Sequence, residues 1–185
     1  MRVISGRFGG RRLKAVPSRL TRPTTDKVKE SLFNVIGPYF QGGAFLDLYA
    51  GSGSVAIEAV SRGITKAVLV DHQYRAYRTI INNVKSLRAD KAFKVIKSSA
   101  RSALSILAKR TARFNYVYLD PPYKLSRMKH DLLTLARLNL LAPNALVICE
   151  TDDQSRLEDD VDHYRLVEQK HYGMTILTIY QFMGA

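Results

Sequence analysis

The chain has 185 residues and 46% hydrophobic content, enough to bury one sizeable core but not to build a second catalytic domain. Eighteen apolar residues never follow one another and no apolar leader follows Arg2, which argues against a spanning helix and a secretory signal and predicts a soluble, cytoplasmic protein. The net charge of +13 is polarised: residues 1–30 carry nine Arg/Lys against Asp26 and Glu30, whereas residues 151–185 carry seven Asp/Glu against Arg156, Arg165 and Lys170. Basic groups gathered at one end suit phosphate contact and counterion release, so a nucleic acid is the expected partner. A membrane surface is not, because no long helix with a basic face and bulky apolar residues lies near the N-terminus.

In chain order, Val3 to Ser5 and Arg12 to Val16 read as two strands joined by Gly6-Arg7-Phe8-Gly9-Gly10-Arg11, a basic, glycine-rich hairpin. Pro23 and Thr24 introduce a helix with Val28, Leu32, Val35 and Ile36 on one face and Gly37-Pro38 as its stop. Strands are then expected at 44–49, 67–71, 93–98, 116–120 and 145–150, alternating with helices at 55–61, 74–87, 102–109 and 128–138. This alternation predicts a parallel sheet covered on both faces. Residues 163–172 and 175–182 flank Gly173 as a hairpin, so the sheet closes on an antiparallel strand. Tyr74, Tyr77 and Ile81 recur at helical spacing and read as the face of their helix packed on the sheet.

Ala44 to Ala59 reads as strand, glycine turn, helix. Gly51 and Gly53 allow a tight turn and close backbone approach, and the following helix directs unpaired N–H groups at any ligand there. Eighteen residues past Gly53, the second strand ends at Asp71, where a nucleoside-binding fold holds ribose hydroxyls. Gly51-x-Gly53-x-x-Ala56 also satisfies the loose dinucleotide fingerprint of a nicotinamide dehydrogenase. Asp47 argues against that reading: four residues before Gly51, its carboxylate disfavours a pyrophosphate but suits the ammonium and sulfonium of S-adenosylmethionine (SAM). A turn used only for packing is the plain alternative.

The apolar run Tyr116 to Leu119 leads into Asp120-Pro121-Pro122-Tyr123. Two prolines stiffen the backbone and remove two N–H donors, leaving an edge of acceptors that complements an exocyclic NH2. Tyr123 can stack on the ring whose amine is so held. A proline-stiffened loop after a strand is again the plain alternative. His72, His130, His163 and His171 lack metal-ligand spacing and read as surface or strand residues. Cys149, within an apolar run, reads as a buried core residue, and no serine sits in a Gly-x-Ser-x-Gly elbow.

Together, Asp47-x-x-Ala50-Gly51-Ser52-Gly53, Asp71 ending the second strand and Asp120-Pro121-Pro122-Tyr123 ending the fourth resemble the amino-directed SAM-dependent methyltransferases. Within these, the segment from Arg22-Pro23-Thr24 to Asn34 and the opening, Arg2 to Gly6 and Gly10 to Leu13, are similar to the RsmD family. Its members methylate the N2 amine of a guanine in bacterial small-subunit (16S) ribosomal RNA. The resemblance runs from Met1 to the closing strands near Phe182. It implies an α/β, Rossmann-like class I SAM-dependent methyltransferase fold: a mostly parallel seven-stranded sheet with helices on both faces and an N-terminal β-hairpin extension. Residues 1–22 would be that extension and residues 23–185 the methyltransferase domain.

S-adenosyl-L-methionine is the cofactor so implied, held by Asp47, Ala50, Gly51, Ser52, Gly53, Asp71, His72, Ser99 and Ala100. The implied catalytic set is Asp120, Pro121, Pro122 and Tyr123, with RNA contacts from Arg7, Arg11, Arg12, Arg19, Arg22 and Thr24. The partner would be 16S rRNA within a small-subunit assembly particle, bound by a monomer without metal or membrane. Two departures stand out: His72-Gln73 follows Asp71 where related enzymes vary, and Ser98-Ser99-Ala100 occupies the place where many methyltransferases carry an acidic residue facing adenine. Rival readings are a DNA amino-methyltransferase acting on adenine N6 or cytosine N4, a protein-glutamine methyltransferase, and a non-catalytic RNA-binding ribosome-assembly factor. The first usually needs a separate target-recognition region, the second leaves the basic N-terminus unexplained, and intact Asp47 and Asp120 speak against the third.

Overall fold

The computed structural model describes residues 1–17, 26–121, 125–152, 157 and 160–184. They form two compact units, Met1–Ser99 and Ala100–Ala185.

The first unit contains α1 (Asp26–Ile36), β1 (Ala44–Asp47), α2 (Ser54–Ser61), β2 (Lys66–Asp71), α3 (Tyr74–Ser86), a short 3-10 turn and β3 (Phe93–Lys97). β2 lies between β1 and β3 and is parallel to both, pairing Phe45 with Ala67 and Leu69 with Val95. Every residue of α2 is buried, as an apolar helix wrapped on all sides requires. α3 is amphipathic and buries Ala76, Thr79, Ile80, Asn83 and Val84. That corrects the expected packing face: Tyr74 is 58% exposed, while Tyr77 and Ile81 are only half-buried. Two polar residues, Thr79 and Asn83, occupy the inward stripe.

The opening segment pairs as expected, but only through one antiparallel bridge, Arg2 with Arg12. Backbone bonds from Val3 N–H to Arg11 O (2.9 Å) and from Gly10 N–H to Val3 O (2.9 Å) surround it. The pairing stops there because Ile4, Ser5 and Phe8 spend their donors on α2. Glu58 accepts the N–H of Ile4 (2.7 Å) and of Ser5 (2.9 Å), and the Phe8 N–H reaches Ser61 Oγ (2.9 Å). Gly6, at φ 81, lies so close that a Cβ there would overlap the Ser61 carbonyl.

The second unit contains α4 (Ala100–Lys109), β4 (Phe114–Leu119), α5 (Leu125–Arg137), β5 (Leu141–Asp152), β6 (Asp160–Val161), β7 (Tyr164–Tyr172) and β8 (Thr175–Phe182). β4 and β5 are parallel, and β8 adds antiparallel to β5, with β7 and then β6 beyond it. Among the described residues the strands are therefore the seven expected of the sheet plus β6, two residues long. β5 extends beyond both ends expected of it, through Pro143 and Asn144, whose φ of 58° accompanies a register irregularity opposite Phe114 and Tyr116. Cys149 is buried, and burial pushes its thiol pKa up, with nearby Asp131 adding to the shift. All four histidines are exposed. No helix among the described residues is long and apolar enough to cross a membrane.

Candidate active site

β1 brings Asp47 to its C-terminal end, where the residue is 1% exposed. The chain then turns through Ala50-Gly51-Ser52-Gly53 into α2. Gly53 is the N-cap of α2 in the left-handed region (φ 80), and a Cβ there would come within 2.9 Å of Leu69. Gly51 is also left-handed (φ 53), but no atom lies within 4 Å of the place its Cβ would take. One glycine permits packing and the other leaves open space beside the loop.

The loop is fastened from three sides. Ala50 N–H donates to Val70 O (2.9 Å), which ties the turn to the end of β2. Asp71 accepts the Gly51 N–H at Oδ2 (2.9 Å) and the Gln73 N–H at Oδ1 (2.8 Å). Asn83, 2% exposed on α3, donates from Nδ2 to Ser52 O (2.9 Å) and to Lys14 O (3.0 Å), and its Oδ1 accepts the Lys14 N–H (2.8 Å). One buried amide thus joins the glycine loop to the N-terminal segment. A buried charge cluster supports the same segment: Glu58 meets Lys29 at 3.5 Å and Arg62 at 2.8 Å, and Lys29 donates to Arg2 O (2.6 Å). Burial lowers the Lys29 ammonium pKa below its usual range, with Glu58 and Asp26 opposing.

Asp47, Gly51, Ser52, Gly53 and Asp71 therefore belong to one strand-end constellation. Each Asp71 oxygen accepts one of these bonds and keeps capacity for another, and the side chain is 11% exposed. His72 is more open, at 59%, with Nδ1 3.9 Å from Asp71 Oδ1. Ser99 is exposed just beyond β3, and Ala100 opens α4 and is buried. Asp120 and Pro121 directly follow β4 and are half-buried. Pro122 and Tyr123 lie outside the described residues, as do Arg19, Arg22 and Thr24. Arg7, Arg11 and Arg12 are exposed on the N-terminal turn, Arg7 with its guanidinium 4.6 Å from the Phe8 ring centroid.

Sequence reasoning missed Asn83 and Glu58. Each carried a faint signal: a polar residue amid the apolar Ile80 and Val84, and a carboxylate between Ile57 and Ala59 in α2 with Arg62 four residues on.

A family model described as Conserved hypothetical protein 95 matches residues 1–181. The chain belongs to this family, the RsmD family. It is 44% identical over 184 residues to the Bacillus subtilis protein named "Putative rRNA methyltransferase YlbH", covering 100% of both chains. To "Ribosomal RNA small subunit methyltransferase D" of Escherichia coli K12 it is 32% identical over 181 residues, 98% of this chain and 89% of that one. A solved structure named "Putative methyltransferase yhhF from Escherichia coli" superposes with a TM-score of 0.87 at 29% identity, over 100% of this chain and 99% of that one. The fold is the class I SAM-dependent methyltransferase fold.

Proposed function

We propose that this protein is an rRNA methyltransferase of the small ribosomal subunit that uses S-adenosylmethionine and directs the methyl group to the exocyclic N2 amine of a guanine in 16S rRNA. The observation that carries the reading is Asp120-Pro121 immediately after β4, in a chain whose relatives are named rRNA methyltransferases.

The residues at the ends of β1 and β2 fit the cofactor. Open space beside Gly51 admits a ligand against the backbone, the buried Asp47 carboxylate suits cationic groups, and Asp71 has acceptor capacity for two hydroxyls while still fastening the loop. When bound, the cofactor supplies a methyl group made electrophilic by a sulfonium. The chain's own part is positioning. A guanine amine shares its lone pair with the ring and attacks poorly, so Asp120 and the Pro121 carbonyl accept its two hydrogens, favour a more tetrahedral nitrogen and aim its lone pair. Asp120, or water beside it, takes the proton afterwards. Tyr123 holds the ring plane, and Pro122, which has no N–H, adds no donor to the edge that faces the amine. His72, Ser99 and Ala100 complete the adenosine end, and Ala50 and Ser52 the methionine end.

The guanine has to leave its stack to reach such a site, which is easiest in a loop or a partly assembled particle. Arg7, Arg11 and Arg12, with Arg19, Arg22 and Thr24, grip flanking phosphates, residues 1–22 serving as the RNA-binding extension of a domain over 23–185. The protein acts as a cytoplasmic monomer on an assembly particle. Mass spectrometry of small-subunit rRNA nucleosides from a strain lacking the gene tests the reading. N2-methylguanosine should fall and return on complementation; unchanged rRNA with a lost methyl mark on DNA would sink it.

A further inference from the structure

The N-terminal segment is not the only concentration of positive charge. Residues 74–97 carry seven Arg/Lys against Asp90 alone, a surplus nearly equal to that of residues 1–30. All seven cations are exposed, and none has an ion-pair partner among the described residues. Arg75, Arg78 and Lys85 lie at helical spacing along the solvent side of α3, opposite its buried Ala76, Ile80 and Val84. At 1.5 Å per residue the stripe is about 15 Å long. Lys94 and Lys97 belong to β3, the outer strand of the first unit, and leave it on opposite faces, with Lys97 on the side of Tyr74.

Helix and strand meet at one surface, because Arg78 of α3 and Lys97 of β3 converge on a single ring. Tyr74, 58% exposed, has Arg78 Cζ 5.9 Å and Lys97 Nζ 5.2 Å from its centroid, and Arg78 Nη1 donates to the Tyr74 hydroxyl (3.3 Å). Lysines on an outer strand commonly guard against edge-to-edge pairing. That accounts for Lys94 and Lys97 but not for the helix stripe, where no acidic residue among those described pairs with the cations. A surface held at such a potential matches a polyanion, and an exposed aromatic among cations matches a nucleic acid with an unstacked base.

We propose that the exposed side of α3 together with Lys97 of β3 is a second RNA-docking face, which holds the phosphate backbone of the substrate, with Tyr74 offering a stacking surface. The inference rests on the rRNA-substrate reading and adds to it a location that the N-terminal arginines do not cover.

The test compares three full-length proteins: wild type, Arg75→Gln/Arg78→Gln/Lys97→Gln, and an equal neutralisation elsewhere, Lys109→Gln/Arg110→Gln/Arg113→Gln. Binding to a 16S rRNA fragment is measured across salt concentrations, alongside SAM affinity, melting temperature and methyl transfer. The face variant should flatten the log–log salt dependence by roughly two to three units, about one for each phosphate that is no longer neutralised, with SAM affinity and melting temperature unchanged. The elsewhere variant should leave the slope near wild type. An unchanged slope in the face variant, or an equal flattening in both variants, overturns the proposal, the second outcome assigning the effect to net charge. Failure of the functional reading is separable: the wild type would then leave the guanine amine unmethylated whatever the binding slopes.

Discussion

Of the eleven buried polar or charged residues among those described, eight lie in the first unit, from Lys29, Asp47 and Glu58 to Asn83, and three in the second, Asp131, Thr134 and Thr178. Both units build their sheets from apolar strands, so the difference does not come from the sheet. It comes from what else has to be held. In the second unit the strands β4, β5, β8 and β7 satisfy one another's backbone groups, and aromatic contacts such as Tyr164 with Tyr180 and Phe182 fill the space between them. In the first, a glycine loop and an irregular N-terminal segment have no ladder, so buried side chains supply the partners that backbone N–H and C=O groups require. Buried polarity therefore marks the irregular backbone that the cofactor and the RNA are proposed to meet.

Removing Glu58 should do the greatest damage, because Glu58→Ala strands Lys29, Arg62 and the N–H groups of Ile4 and Ser5. A loss of about 3–5 kcal/mol is expected, read from urea unfolding midpoints. A loss below about 1 kcal/mol would mean that the cluster is dispensable, and the contrast between the units would fail. Next comes Asp120→Ala, which acts on chemistry and not on folding: methyl transfer to the guanine amine should fall on the order of 10²–10³-fold, with SAM affinity and melting temperature unchanged. A fully active variant would remove the amine-holding role.

Smaller effects are expected where a neutral brace or a single acceptor is lost. Asn83→Ala leaves the Lys14 N–H and the Ser52 carbonyl unpartnered, which should cost about 1–3 kcal/mol in stability and weaken SAM binding in calorimetry through the loosened loop. Asp71→Ala should weaken SAM by a similar amount, and tight NAD binding in place of SAM would overturn the cofactor assignment. The second unit supplies the smallest change. Thr178→Val removes the acceptor for Gln169 Nε2, a half-buried group within reach of water, and should cost under about 1 kcal/mol by the same unfolding assay. A cost equal to that of Asn83→Ala would erase the contrast from the other side.

Much of this was legible in the chain. The strands ending at Asp47 and Asp71, the glycine turn and the closing antiparallel hairpin follow from alternating apolar runs and punctuation by glycine, and each stands within a few residues of its expected place. What misled were polar residues inside apolar patterns. On α3, Thr79 and Asn83 break the inward stripe, so Tyr74, Tyr77 and Ile81 looked like the packed face although they lie a quarter-turn or more away. On β5, Pro143 and Asn144 hid the early residues of a long strand. At the N-terminus, strand-like residues pair through one bridge because Glu58 and Ser61, some fifty residues on, outcompete the neighbouring strand for their N–H groups.

Sequence alone was sufficient for the order and type of the helices and of the seven longer strands, for the family resemblance and for the residues at the strand ends, because all of these depend on local periodicity, turn chemistry and short motifs. Tertiary structure decided which polar groups hold the glycine loop and which cations share a surface. Asn83 lies 69 residues from Lys14 and 31 from Ser52, and Arg78 lies 19 from Lys97, yet each set meets at one point. No local pattern encodes such meetings, since they depend on how distant elements pack and on where buried backbone groups are left needing a partner.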